Sequence, residues 1–220
     1  MTLKALLFDF DGTLANTDPI HLAVFKELLA PQGIVVDAPY FRKNIAGGSN
    51  KELFKRYFPG IGDEEAMAMS EAKEQMFRDR VGDLKPISGL HECLDWAREQ
   101  GLKTALVTNA PISNINHLLP VLNLTDVFDI QITGNDNLPG KPSPVPYLTA
   151  LQRLDIAPGE AVVFEDTHTG IVSGVAAGIF TFGLMTTHPL AELEASGADA
   201  VIRDYLDPML WTMLARMVAL

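Results

Sequence analysis

The sequence predicts an α/β fold: a doubly wound parallel-sheet core carrying an inserted all-helical domain. Three observations point there. Short apolar runs recur along the chain without polar–apolar alternation, as strands covered on both faces do. Helical patterns lie between them, the alternation that builds parallel sheets. After the first run, however, a stretch of roughly 65 residues holds helical patterns only, which is long for a crossover.

Taken in order, the first strand is Ala5 to Phe8. Helical stretches follow at Ile20 to Leu29, Lys51 to Phe58 and Asp63 to Val81. They form an expected helical domain over residues 15–82, with linkers near Ala15 to Asp18 and Gly82 to Pro86. The core takes residues 1–14 and 83–220. Its next helix repeats Leu90, Leu94 and Ala97 on one face and stops at Gly101, a C-terminal cap. Thr104 to Val107 is the second strand; Ile115, Leu118, Leu119 and Leu122 line the helix after it. Ile130 to Thr133 is the third strand, and Ser143 is the expected N-cap of a helix through Tyr147, Leu148 and Leu151. Strands at Ala161 to Phe164, Ile179 to Phe182 and, more weakly, Ala200 to Ile202 complete the sheet, with the small-residue helix Gly170 to Gly178 among them.

Composition narrows the function. The 220 residues include 28 acidic and 17 basic side chains, a formal charge of −11. That balance argues against nucleic acid and anionic membrane surfaces as partners, both of which need clustered Lys and Arg. A hydrophobic content of 47% with 20% charged residues suits a core-forming globular chain. The single cysteine, Cys93, allows no intrachain disulfide and fits a reducing compartment. The N-terminus meets Asp9 after the four apolar residues Ala5 to Phe8, too soon for a signal-peptide core. Thr167 to Ala191 carries no Asp, Glu, Lys or Arg, but His168, His188, Pro189 and four glycines punctuate it as a helix and a buried strand, not a membrane span. The expectation is a soluble cytoplasmic protein, monomeric or homodimeric.

The chemistry-bearing residues lie at strand ends. Phe8-Asp9-Phe10-Asp11-Gly12-Thr13-Leu14 runs out of the first strand, where parallel sheets bind ligands. Two carboxylates two residues apart in extended chain point the same way, and their repulsion calls for a cation between them. Few hard oxygen ligands in a site that also binds substrate suit Mg²⁺. Taken alone, Asp-x-Asp-Gly also reads as a solvated turn. A second strand, Val162 to Phe164, ends in Glu165 and Asp166, which two helix caps would not explain. Thr108 and Asn109 follow the second strand as uncharged hydrogen-bond donors, or as ordinary turn residues. Lys141 is the only Lys or Arg between Lys103 and Arg153; its ammonium can offset carboxylates and hold a phosphate, unless it is a solvated loop lysine. Gly134 to Lys141 is not a Walker A loop, since its glycine spacing is one too long and Pro142 follows the lysine.

Asp9-Phe10-Asp11-Gly12-Thr13, Thr108-Asn109, Lys141-Pro142 and Glu165-Asp166, in that order, resemble the four motifs of the haloacid dehalogenase superfamily. The resemblance spans nearly the whole chain and is nearest the phosphatases with a helical cap inserted after the first motif. It implies a Rossmann-like core, a small phosphorylated metabolite as substrate, and Mg²⁺ as cofactor. It implies Asp9 as nucleophile and Asp11 as general acid and base. The cation would be held by the Asp9 side chain, the Asp11 carbonyl and Asp166, with Glu165 beside it or acting through water. Thr108 and Lys141 would grip the phosphoryl group with help from Asn109. The second Asp of the first motif, not used by the superfamily's dehalogenases, favours phosphoryl transfer.

In the helical domain His21 matches a histidine of β-phosphoglucomutase-like members, and reads equally as an ordinary helix histidine. Asn44 to Lys51 is similar to the cap's specificity loop, with Gly47 offering a backbone amide and Lys51 or Arg42 a cation. The alternatives to a phosphatase are a phosphosugar mutase of the β-phosphoglucomutase kind and a non-enzymatic binding protein. Residues 15–82 carry a net charge of −1 and the remainder −10. Arg42, Lys43, Lys51, Lys55 and Arg56 have only Glu52 as a nearby acid in sequence, so this basic stretch is expected to receive an anion.

Overall fold

The computed structural model describes residues 2–46 and 48–219. Two compact units emerge, one of residues up to Asn16 with those from Lys85 onward, the other Thr17–Leu84.

The first unit is a six-stranded parallel sheet: β1 (Ala5–Phe8), β2 (Lys103–Val107), β3 (Ile130–Ile132), β4 (Ala161–Glu165), β5 (Phe180–Leu184) and β6 (Ala200–Ile202). The spatial order is β3-β2-β1-β4-β5-β6, so β1 lies inside the sheet between β2 and β4. β1 is Ala-Leu-Leu-Phe, buried at all four positions because its two faces meet separate apolar layers. Ala5 and Leu7 pack with Val107, Val163, Tyr147 and Leu151 on one side. On the other, Phe8 stacks on Phe164 at 5.0 Å between ring centroids and Phe164 on Phe182 at 5.4 Å. That two-sided burial is why none of the strands alternates.

The helices of the second unit are α1 (Asp18–Leu29), α2 (Ala38–Asn44), α3 (Asn50–Tyr57) and α4 (Asp63–Arg78). Those of the sheet unit are α5 (Leu90–Glu99), α6 (Ile112–Val121), α7 (Val145–Leu154), α8 (His168–Ala176), α9 (Leu190–Ala195) and α10 (Pro208–Val218). The second unit has its own core of Phe25, Leu29, Phe41, Leu53 and Phe54. α2, α9 and α10 were not expected. α2 and α9 span two turns or less, too short for a periodic pattern to register. α2 instead rests on its cap, Asp37 accepting from the Tyr40 amide at 2.8 Å.

Several element boundaries differ from expectation, and three of them have a local cause. β5 starts at Phe180 rather than Ile179, because the Ile179 amide still closes α8 by donating to Gly174 O at 3.2 Å. α4 stops at Arg78 as Arg80 and Val81 tighten into three-residue turns. Pro144, not Ser143, precedes α7, although Ser143 Oγ accepts from the Val145 amide at 3.3 Å. The charge-free Thr167 to Ala191 stretch becomes α8, β5 and the turn after it, and no described helix is long and apolar enough to cross a membrane.

Cys93 is fully buried on α5, and burial pushes its thiol up to about 12. The native protein is therefore expected to show no reaction with a thiol reagent at pH 8 over minutes, and one equivalent in denaturant, read by absorbance.

Candidate active site

Register puts the site together. β1 pairs with β4 as Leu7↔Val163 and Phe8↔Phe164, and with β2 as Phe8↔Leu106. The next residue of each strand, Asp9, Glu165 and Val107, therefore comes level at the carboxyl end of the sheet. The Asp9 amide still holds that level, donating to Phe164 O at 3.1 Å.

Asp9, Glu165 and Asp166 bring carboxylate oxygens within 4.8 Å of one another, all three buried. Lys141 enters this group from the loop before α7. Its Nζ donates to Asp9 Oδ1 at 2.6 Å, Glu165 Oε1 at 2.5 Å and Val107 O at 2.6 Å, and stands 4.9 Å from the Tyr147 ring centre. The solvated-loop alternative for Lys141 is thus excluded; its side chain is 4% exposed. Burial alone would lower its ammonium, but Asp9 and Glu165 carry it above the ordinary lysine range. Asp9 moves to about 8, raised first by burial, then by the Glu165 charge, against the pull of Lys141. Three buried carboxylates share this place with a single ammonium, which is bonded to two of them. A hard divalent cation among these oxygen donors matches both the charge and the ligand chemistry.

Glycines make the closeness possible. Gly12 turns the chain at φ +76°, and a Cβ there would lie 1.9 Å from Asp166 Oδ2. At Gly170 on α8 a Cβ would lie 1.8 Å from Glu165 Oε2.

Asp11 departs from the extended arrangement expected of it. The chain leaves β1 after Phe8 and folds into a turn, Leu14 N–H reaching Phe10 O at 2.8 Å. The Asp11 carboxylate accordingly lies outside the group of three and half-exposed, though its charge helps to raise Asp9. Thr108 is buried at the end of β2 and accepts from the Ala110 amide at 3.0 Å. Asn109 clamps the main chain of Lys141: its Oδ1 accepts from the Lys141 amide at 3.0 Å, and its Nδ2 donates to Lys141 O at 3.4 Å.

The remaining expected residues belong to the helical unit. His21 on α1 is 2.9 Å from Lys73 Nζ through Nδ1 and stacks on Phe77 at 4.1 Å between ring centres. Lys51 donates to Asp63 Oδ2 at 2.7 Å. Lys55 pairs with the same carboxylate, and the hydrogen bonds from Lys51 and Lys55 hold Asp63 down at about 2. The expectation that Glu52 is the sole acid near this basic stretch is therefore corrected; folding brings Asp63, at the start of α4, against it. Gly47 lies outside the described residues.

Sequence reasoning missed Tyr147, whose hydroxyl donates to Glu165 Oε1 at 2.7 Å from α7. Its helical spacing marked it as apolar packing, which its ring also provides. It missed Lys73 and Glu74 too, a buried ion pair at 2.8 Å on α4, because charged neighbours on a helix read as a solvated face.

Residues 6–184 match the haloacid dehalogenase-like hydrolase family. Protein CbbY of Rhodobacter capsulatus is 31% identical over 190 residues, 81% of this chain and 84% of that protein. Validoxylamine A 7'-phosphate phosphatase of Streptomyces hygroscopicus subsp. limoneus is 30% identical over 204 residues, 91% of this chain and 93% of that one. Among solved structures, a HAD hydrolase of family IA, variant 3, from Entamoeba histolytica superposes with a TM-score of 0.88 at 27% identity, covering 98% of this chain and 99% of its own. A parallel sheet with acid pairs at two adjacent strand ends, and a family match running from β1 to the end of β5, place the chain in the haloacid dehalogenase-like hydrolase family.

Proposed function

We propose that the protein is a Mg²⁺-dependent phosphatase that hydrolyses a small phosphorylated metabolite through a phosphoryl group carried on Asp9. The grouping of the Asp9, Glu165 and Asp166 carboxylates, with Lys141 bonded to Asp9 and Glu165, supports this above all. Asp9 attacks phosphorus, forming the acyl phosphate as the bond to the leaving oxygen breaks. Asp11 gives that oxygen its proton and then takes one from the water that attacks the same phosphorus. Inorganic phosphate leaves and the Asp9 carboxylate returns. Lys141 opposes the charge of the transferring group, while Asn109 fixes the lysine's backbone and Thr108 offers its hydroxyl. Mg²⁺, held by the Asp9 and Asp166 side chains and the Asp11 carbonyl with Glu165 beside it, would supply positive charge against the phosphoryl oxygens. Substrate choice falls to the helical unit, since the residues above act on the phosphoryl group alone.

Phosphate release from a panel of sugar phosphates and phosphoglycolate tests the reading. Turnover of at least one compound with Mg²⁺, abolished by a chelator, is expected. Release no faster than that of Asp9→Asn on every compound would refute it. Accumulation of an isomer in place of phosphate, after priming with a hexose bisphosphate, would identify a phosphosugar mutase instead.

A further inference from the structure

A further strand end reaches the acid cluster. β5 ends at Leu184, and the chain turns through Met185 to His188 before α9. Because β5 pairs with β4 as Glu165↔Gly183, this turn emerges beside Asp166. The Thr187 hydroxyl donates to Asp166 Oδ2 and lies 3.1 Å from the Asp166 carbonyl oxygen. His188 Nδ1 lies 2.8 Å from Thr187 Oγ1 and 3.0 Å from Asp166 O. A threonine hydroxyl has one hydrogen, and a carboxylate only accepts. With that hydrogen given to Oδ2, both neighbours of Nδ1 are acceptors, so His188 carries its hydrogen on Nδ1. The histidine then braces the hydroxyl and the Asp166 backbone together. On its other flank Oδ2 faces Gly12, where not even a Cβ would fit. The oxygen is gripped from two sides by elements far apart in sequence.

We propose that Thr187, braced by His188, is a positioning residue that presets the Asp166 carboxylate for a divalent cation. The inference rests on the reading of Asp9, Glu165 and Asp166 as the cation site. Like charges crowded together turn away from one another unless something holds them. A hydroxyl donating to Oδ2 supplies that hold, and partners that hydrogen-bond metal ligands typically govern affinity by about 10–100-fold.

Isothermal titration of the full chain with Mg²⁺ alone tests it, on the wild type, Asp166→Asn, Thr187→Val and Thr187→Ser. Thr187→Val is expected to bind Mg²⁺ about tenfold more weakly or worse, and Thr187→Ser within about twofold of wild type. Melting temperatures in chelator should be alike for these two variants and the wild type. Should Thr187→Val fold poorly, Thr187→Ala removes the same hydroxyl without a buried methyl in its place. If Asp166→Asn loses binding while the hydroxyl-free variants bind like wild type, the inference falls and the cation reading stands. Equal weakening in Thr187→Ser and Thr187→Val would also overturn it, since the hydroxyl would not be the cause. If the wild type binds no Mg²⁺, or Asp166→Asn binds equally well, both fall together.

Discussion

Asp9→Asn is expected to lower phosphate release at least about a thousandfold, because an amide oxygen is too weak a nucleophile to take the phosphoryl group. The fold should survive. An Asn oxygen can still accept from Lys141, which in the wild type donates to Asp9 at 2.6 Å, and Glu165 keeps its own bond to that lysine. Stability should move with pH in a definite direction. The folded Asp9 carboxyl sits at about 8, raised by burial and by Glu165. Between the unfolded value near 4 and that figure, the folded state therefore binds more protons than the unfolded one. The stability of metal-free wild type falls as pH rises through this window, and Asp9→Asn removes that contribution. Melting curves in chelator should show the variant gaining on the wild type from pH 5 to pH 8. A gap that is constant with pH would contradict the assignment of Asp9 as the strained carboxyl.

Lys141→Met should be the most damaging change to stability. The methionine fills much of the same space beside Tyr147 but leaves Asp9 and Glu165 buried without their ammonium. Removing one partner of a buried ion pair costs about 3–5 kcal/mol. For a chain of this size that corresponds to a fall in melting temperature of roughly 6–20 °C in chelator. Mg²⁺ should restore part of the loss, since a cation among the same oxygens relieves the same repulsion, and phosphate release should remain depressed. A fall of less than about 2 °C without metal would mean that the carboxylates are better solvated than their burial indicates.

Legibility in the sequence followed the physics of each element. β1 and β6 are found at their expected limits because buried parallel strands are uninterrupted apolar runs. Asp9, Glu165 and Asp166 were readable because carboxylates directly after such runs are costly to crowd together unless a cation meets them. Lys141 stood out as the only Lys or Arg between Lys103 and Arg153, yet nothing in the sequence says that its ammonium crosses to β1 and β4. Contacts made by polar residues in helices and turns stayed hidden: Tyr147 to Glu165, Thr187 to Asp166 and Asp63 to Lys51 and Lys55. Each depends on which helix or turn faces which, and that is settled by packing of the apolar residues, not by the polar residues concerned. The Asp11 expectation failed locally for a related reason, since the turn begins at Phe10 and ends the alternation on which the pairing of the two carboxylates relied.

The central place of β1 has a consequence for how the chain comes to exist. The strand is made well before its two partners, β2 and β4, which begin at Lys103 and Ala161. Until then its apolar residues have no sheet to join, whereas the core of Thr17–Leu84 is complete within its own stretch. Such distant pairing is slow to close and leaves apolar strand edges exposed during synthesis. The acid cluster, built on β1 and β4, therefore assembles only once most of the chain has been made. A chain cut short before Ala161 would hold Asp9 and Lys141 and still lack the cluster.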